Sequence, residues 1–134
     1  MADKEFLLYL QDCFDCCKPI FIALGDEVRL AIITALARTS LTGPPSPDSS
    51  LPKGLSVKEI TNTTRLSRPA ISHHLKILKN AGLVDSVQIG TSNIYHLTFD
   101  PSIELLYKLS AALYEIRKES GAPAPLAPVE KFIV

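Results

Sequence analysis

The sequence contains no apolar run that approaches the roughly 18 residues needed to span a membrane. Its first residues, Met-Ala-Asp-Lys-Glu-Phe, also lack the basic segment followed by an apolar one that marks a secretory signal. We therefore expect a cytoplasmic protein with no membrane partner. In that compartment the three cysteines are expected to be free thiols, metal ligands or redox sensors rather than a disulfide framework.

Enzyme signatures are missing as well. The sequence has no glycine-rich phosphate loop, no paired catalytic carboxylates and no Ser/His/Asp arrangement, and its histidines are too scattered to suggest catalysis. A thiol oxidoreductase using Cys13 and Cys16 would need a βαβ context, which the sequence does not predict. We predict that the protein is not an enzyme and requires no cofactor.

The composition favours one folded domain with an extension. The chain has 134 residues, of which 46% are apolar, which is enough for a packed core. We assign residues 1–120 to a single domain. Residues 121–134 contain several prolines and are assigned to a C-terminal tail. Within the domain, residues 42–54 are rich in Pro, Gly and Ser and are predicted to form a flexible surface loop.

The net charge is zero, but the charges are unevenly distributed. Residues 1–27 carry six acidic side chains against two lysines, whereas residues 53–80 carry six basic side chains against Glu59 alone. A protein that binds DNA needs a basic face rather than a basic total. The second region is therefore the candidate for contact with nucleic acid, although an ordinary solvated helix face would have the same composition.

Apolar periodicity and capping residues predict the elements. The N-caps are Asp26, Ser56 (with Glu59 in a capping box) and Ser67 (with Pro69 in the first turn), and Gly82 ends the Ser67 helix. We expect Pro19 to break or restart the first helix. The predicted helices are at 5–18, at 20–24 as a short apolar helical turn, at 28–38 with Leu30, Ile33, Leu36 and Ala37 buried, a short one from Ser56, at 67–79 and at 101–118. A turn is predicted at 61–65 and strands at 84–89 and 93–99.

The segment from Leu66 to Leu83 is the most informative. One face of its helix is apolar, through Ile71, Leu75 and Leu78, and the other carries Ser, Arg, His and Lys. The major groove of DNA can accept a polar, basic helix face of this size. Because a helix-turn-helix followed by a β-hairpin is a winged helix, we predict a mainly α fold with a β-hairpin wing.

Three segments resemble the ArsR/SmtB family of bacterial winged-helix repressors: Ala-Leu-Gly-Asp-Glu-Val-Arg-Leu at 23–30, Leu-Ser-Arg-Pro-Ala-Ile-Ser-His-His-Leu-Lys-Ile-Leu at 66–78, and Ala-Gly-Leu-Val at 81–84. The resemblance covers about residues 20–99. It implies a homodimer, formed through the first and last helices, that leaves a palindromic double-stranded operator when an inducer binds. Two-fold symmetry predicts half-sites about 34 Å apart.

The resemblance also implies that residues 67–79 form the recognition helix. The candidate DNA contacts are Ser67, Arg68, Ser72, His73 and Lys76 on this helix, and Thr91, Ser92 and Asn93 on the wing. Arg68 and Lys76 suit guanine edges or phosphates. His74 lies next to the apolar stripe and is expected to be a packed, hydrogen-bonded histidine.

The chain departs from the family in three places. The short helix has Ser56 and Lys58 where the family's metal-binding thiolates would lie, and the last helix contains no histidine for the family's second metal site. The wing, residues 87–94, carries no charge, so the salt dependence of DNA binding should be shallower than in relatives with basic wings.

With both metal motifs missing, the candidate sensor is the cluster of Cys13, Cys16 and Cys17. On a helix the three lie within an arc of roughly 100°. Three thiolates suit As(III), Sb(III) or a soft metal ion, which makes these residues the candidate metal ligands. Two alternatives remain: sensing of oxidants or reactive sulfur by the same thiols, and cysteine as a small packing residue. A winged helix that binds a protein partner instead of DNA is a further alternative.

Overall fold

The computed structural model of the protein describes residues 2–121. In this part of the chain the order of elements is α1 (Ala2–Leu24), α2 (Glu27–Thr42), β1 (Leu55–Ser56), α3 (Val57–Thr64), α4 (Arg68–Asn80), β2 (Val84–Ile89), β3 (Ser92–Leu97) and α5 (Asp100–Glu119). Helices α3 and α4 form the helix-turn-helix, and β2 with β3 forms the wing. None of the helices described is long and apolar enough to cross a membrane. The predicted tail, residues 121–134, lies outside the described residues except for Gly121.

The capping residues act as the sequence predicts. The Asp26 carboxylate accepts a hydrogen bond from the backbone N–H three residues on, at 3.0 Å. At α3, the Ser56 hydroxyl accepts from the Glu59 N–H while the Glu59 carboxylate accepts from the Ser56 N–H, which completes the capping box. At α4, the Ser67 hydroxyl accepts a hydrogen bond from the Ala70 N–H at 3.4 Å, without a reciprocal bond. These bonds satisfy N–H groups that a helix leaves unpaired at its start.

Pro19 does not break the first helix, contrary to our prediction. Helix α1 runs through it from Ala2 to Leu24. The proline lacks the N–H that would bond to the carbonyl of Asp15, but both residues are exposed, so water can bind the freed carbonyl. Beyond the proline, Ile20 and Ala23 are buried in the main core, and their packing holds the last turn of the helix in place.

Two other boundaries differ from the prediction. Helix α2 continues to Thr42, and α3 continues to Thr64, so the turn before the recognition helix lies at residues 65–67 rather than 61–65. Arg65 closes α3 in the left-handed conformation, with φ of 61°. Leu30 was expected to be buried, but it is 46% exposed because α2 packs through Ile32 and Leu36, which face the other side of the helix.

The sheet contains a strand that the sequence analysis missed. The order is β1-β3-β2 and all pairs are antiparallel, with Leu55 opposite Tyr95. A two-residue turn, Gly90 and Thr91, joins β2 to β3, so Ser92 belongs to the strand rather than to the turn. Gly54 allows β1 to approach β3, since a Cβ at this position would lie 2.1 Å from the Tyr95 carbonyl oxygen.

The core lies between the helix-turn-helix, the base of the wing, the C-terminal end of α1 and the middle of α2. Its buried members are Ile20, Ala23, Ile32, Leu36, Ile60, Ile71, Leu75, Leu78, Leu83 and Val84. The predicted inner face of the recognition helix is therefore confirmed. A second, smaller cluster joins Cys13 and Cys17 of α1 to Leu109 of α5.

The base of the wing is attached to both neighbouring helices. The carbonyl oxygen of Gly82, just after α4, accepts hydrogen bonds from Ser102 at 3.0 Å and from Thr98 at 3.4 Å. Ser102 lies in the first turn of α5 and is 2% exposed. Gly82 itself has φ of 77°, a conformation that favours glycine.

Helices α1 and α5 pack together but leave much of their apolar surface exposed. Of the predicted α5 stripe, Leu109 is buried and Leu106 is partly buried, whereas Ile103, Leu113 and Ile116 are exposed in the single chain. The same two helices expose Leu7, Leu8, Phe14, Tyr107 and Tyr114. An apolar face of this extent is typical of a surface that another protein surface covers.

Candidate nucleic-acid interface

The outer face of α4 is open to solvent along its length. The five residues predicted to contact DNA from this helix are all exposed: Ser67, Arg68, Ser72, His73 and Lys76. The opposite face is buried in the core, which fixes the rotation of the helix about its axis. This geometry presents a polar helix face about as long as a major groove contact requires.

The tip of the wing meets the start of the recognition helix. Thr91, Ser92 and Asn93 line a cavity of about 280 Å³ together with Arg68 of α4 and, from the start of α3, Ser56, Val57 and Lys58. The structure therefore brings the three wing candidates next to one of the helix candidates. The cavity is open to solvent and contains two cationic side chains beside the amino-terminal end of a helix, an arrangement that suits a phosphate group.

Lys58 is a residue that the sequence analysis did not include among the contacts. It was considered only as a replacement for a metal-binding thiolate. Its place on the second residue of α3, in the basic region between residues 53 and 80, is the sequence signal that could have identified it.

Among the described residues, most cations of this face have no acidic partner. Within residues 2–121, the ion pairs found leave Lys58, Arg65, Arg68 and Lys76 without a carboxylate. Lys79 differs, because its Nζ lies 3.6 Å from an Asp85 carboxylate oxygen. The unpaired cations are free to neutralise phosphates, whereas Lys79 is partly neutralised by the protein itself.

His74 is packed and hydrogen-bonded, as predicted. Its Nδ1 lies 3.1 Å from Nη1 of Arg29, and its side chain is only 17% exposed. The Arg29 guanidinium also donates from Nε to the Ala23 carbonyl at 2.7 Å and from Nη2 to the Ile22 carbonyl at 3.2 Å. The carboxylate of Asp26 lies 3.9 Å from His74 Nδ1, and the backbone N–H of Arg29 holds the pKa of Asp26 below its usual value.

The three cysteines occupy different environments. Cys13 and Cys17 are buried against Leu109 of α5, whereas Cys16 is exposed. Burial raises the pKa of the Cys17 thiol, and the neighbouring Cys13 and Cys16 raise it further. In residues 2–121 no three His, Cys, Asp or Glu side chains are placed together so that they could hold a metal ion. The predicted thiol cluster is therefore not preformed as a ligand set.

Comparison with known proteins agrees with this architecture. The family model for bacterial regulatory proteins of the arsR family matches residues 53–86, which include α3 and α4. An uncharacterized HTH-type transcriptional regulator of Methanocaldococcus jannaschii, MJ1325, is 34% identical over 87 residues, which are 65% of this chain and 83% of the relative. The chain belongs to the ArsR family.

This ArsR-family chain is also similar to two further regulators. The HTH-type transcriptional regulator Rv2034 of Mycobacterium tuberculosis is 40% identical over 80 residues, which are 60% of each chain. The solved structure of an ArsR-like transcriptional regulator from Rhodococcus sp. RHA1 superposes with a TM-score of 0.64 at 25% identity, and covers 81% of this chain and 86% of that one.

The predicted family and the winged-helix fold are thus confirmed. The ArsR-family chain is a transcriptional regulator, and since these relatives are regulators rather than enzymes, the prediction that it is not an enzyme is confirmed too. The DNA-contact residues and the cysteine ligands remain predictions.

Proposed function

We propose that this regulator is a homodimeric repressor that binds double-stranded operator DNA with α4 in the major groove and the wing beside it. The observation that carries the proposal is the cavity where Arg68, Lys58 and the wing tip meet. A DNA phosphate bound there would fix the position of α4, since backbone contacts set the register of a protein on the duplex.

The recognition helix supplies the base contacts in this proposal. Arg68 and Lys76 are exposed and can reach guanine edges or phosphates, while Ser72 and His73 face the same side. The Ser67 hydroxyl already accepts the Ala70 N–H at 3.4 Å, so its contact with DNA would be through its proton to a phosphate oxygen. The wing contributes Thr91, Ser92 and Asn93 as neutral hydrogen-bonding groups.

A dimer through α1 and α5 is supported by the exposed apolar face of these helices. Tyr107 is 72% exposed and Leu7 is 62% exposed in the single chain, and they lie on α5 and α1, the two helices that pack against each other. Covering them with the same face of a second copy gives a two-fold dimer that presents both recognition helices to a palindromic operator. In this arrangement residues 1–120 serve as one DNA-binding and dimerisation domain, and residues 121–134 as its tail.

The first experiment measures binding of the reduced protein to the DNA upstream of its own gene, with excess random duplex as competitor at fixed salt. We expect binding that resists the competitor and a complex that contains two protein chains. Affinity no better than for random DNA, together with a stable complex with another protein, would support the protein-binding winged helix instead.

The inducer is proposed to be a thiol-binding metalloid, As(III) or Sb(III), or a soft metal ion. Cys16 is exposed and would react first; each As–OH bond is exchanged for an As–S bond with release of water and no change in oxidation state. A second or third bond requires Cys13 or Cys17, which are buried against α5. Binding would therefore pull these side chains out of the α1–α5 contact. It would disturb the proposed dimer layer, which consists of α1 and α5 of both copies.

Replacing all three cysteines by serine tests the inducer. We expect operator binding to persist in this variant and release by arsenite to be lost. If arsenite still releases the triple variant, the cysteines are not the sensor. If a mild oxidant or a persulfide donor releases the wild-type protein and arsenite does not, the thiol-redox alternative is supported.

A further inference from the structure

Arg29 connects three helices through one side chain. It lies in the first turn of α2, and its guanidinium donates to the Ile22 and Ala23 carbonyls at the end of α1 and to Nδ1 of His74 on α4. The last carbonyls of a helix have no partner within the helix, so Arg29 completes the end of α1. Helix α1 belongs to the proposed dimer layer and α4 is the proposed recognition helix.

We infer that Arg29 and His74 form a positioning link that sets the orientation of the recognition helix relative to the dimer helices. The inference rests on the proposed function. The link is short and directional: a planar guanidinium can direct separate N–H groups to three acceptors, which a lysine ammonium at the end of a flexible chain cannot reproduce. Neither residue is predicted to contact DNA.

The link requires an unprotonated Nδ1 on His74. Because guanidinium N–H groups can only donate, Nδ1 accepts the hydrogen bond and the ring proton lies on Nε2. In the described residues the titratable groups near this ring are Arg29 and Asp26 of α2 and His73 of its own helix, whose ring centre is 6.1 Å away. From α1 only backbone carbonyls take part.

A proton on Nδ1 would remove the acceptor and place a second cation beside the guanidinium. The nearest anion, the Asp26 carboxylate, is 3.9 Å away and already accepts the Arg29 backbone N–H at 3.0 Å. Protonation of His74 Nδ1 would therefore break the link.

Two substitutions at His74 separate the link from ordinary packing. His74→Asn places a carbonyl oxygen close to the position of Nδ1 and does not titrate. His74→Leu fills the same place with an apolar side chain and removes the acceptor. The quantity measured is the ratio of affinities for the upstream DNA and for a random duplex. At about pH 7.5 we expect the ratio to fall about tenfold in His74→Leu and to remain near the wild-type value in His74→Asn.

The pH profile and a DNA-free signal complete the test. Acidification should lower the ratio in the wild type more than in His74→Asn, and the difference excludes His73 because both proteins contain it. In the NMR spectrum of the free protein, the signal of the Arg29 Nη1–H group, which donates to His74 Nδ1, should move with pH in the wild type and stay in place in His74→Asn. Thermal unfolding of each variant reports on packing separately.

The inference is overturned if His74→Leu keeps the wild-type ratio, or if His74→Asn and His74→Leu lose it equally. It is also overturned if the Arg29 Nη1–H signal at about pH 7.5 is the same in the wild type and in His74→Leu, which lacks the acceptor. A wild-type protein without preference for the upstream DNA would overturn the proposed function, and the role of the link in recognition with it; a preference that persists in His74→Leu overturns the link alone.

Discussion

Replacing Lys76 by glutamine should reduce the salt dependence of operator binding. Lys76 is exposed on the outer face of α4, and none of the ion pairs found in residues 2–121 includes it. Its charge is therefore available to a DNA phosphate. Each phosphate neutralised by a cation releases condensed counterions from the DNA, and this release makes affinity fall with salt.

The magnitude follows from the number of cations that the proposal places in contact with DNA. Lys58, Arg68 and Lys76 give three contacts per protomer and six in a two-fold dimer. At about −0.9 per contact, the slope of the logarithm of affinity against the logarithm of salt concentration should be about −5. The substitution removes one contact per protomer, so the slope should become less steep by about 1.8. The uncharged wing adds nothing to the slope.

The assay is fluorescence anisotropy of labelled operator DNA over salt concentrations from about 50 to about 200 mM. Lys118→Gln is the matched control, because Lys118 has a similar exposure but lies at the far end of α5, where its Nζ is 3.6 Å from Glu115. A slope that stays the same in Lys76→Gln, or one that changes as much in Lys118→Gln, would refute the assignment of this face to DNA.

Three further predictions concern stability and reactivity. Ser56→Ala should lower the free energy of unfolding, measured with urea, by about 1 kcal/mol through loss of the α3 cap. The control is Ser72→Ala, because Ser72 is exposed and caps no helix. Leu75→Ala should lower it by about 2–5 kcal/mol, because the Leu75 side chain fills the main core; a loss below about 1 kcal/mol would contradict this packing. Iodoacetamide should modify Cys16 well before Cys17, since Cys17 is buried and its raised pKa means that its thiolate forms only at higher pH; mass spectrometry of partly modified protein after digestion decides, and equal rates would contradict the burial.

The parts of the fold that depend on neighbouring residues could be predicted from the sequence. The Ser56–Glu59 capping box and the Ser67 cap join residues three positions apart, so the spacing of the letters is enough to find them. The inner face of α4 follows from the same helical periodicity. The wing strands were also found, because β-branched and aromatic residues alternate around a glycine turn.

The errors arose where distant contacts override local preference. Pro19 was expected to end a helix, but the burial of Ile20 and Ala23 in the core keeps the chain helical on both sides of it. The strand at Leu55 and Ser56 is too short to have a pattern of its own, and it exists because Tyr95 and Ile94 provide the pairing edge. Neither Tyr95 nor Ile94 is near this strand in the sequence.

The sequence predicted residues of the candidate site but not which of them lie close together in the fold. The contact positions on α4 and the wing follow from the resemblance to the family, whereas the meeting of Arg68, Lys58 and the wing tip requires the fold. The bond between Arg29 and His74 spans 45 positions of the sequence and leaves no local pattern. The cysteine spacing likewise gave the arc on the helix, but not the fact that α5 covers Cys13 and Cys17.

Both ends of the wing are held at one point, the carbonyl oxygen of Gly82, through Ser102 and Thr98. The flanking helices therefore keep this anchor when the outer part of the hairpin is lengthened, shortened or replaced. Basic side chains placed on this neutral wing would raise affinity for DNA in general without altering the helix that reads the bases. Affinity can then be raised through wing residues outside the cavity with Arg68, while the base-reading face of α4 stays the same.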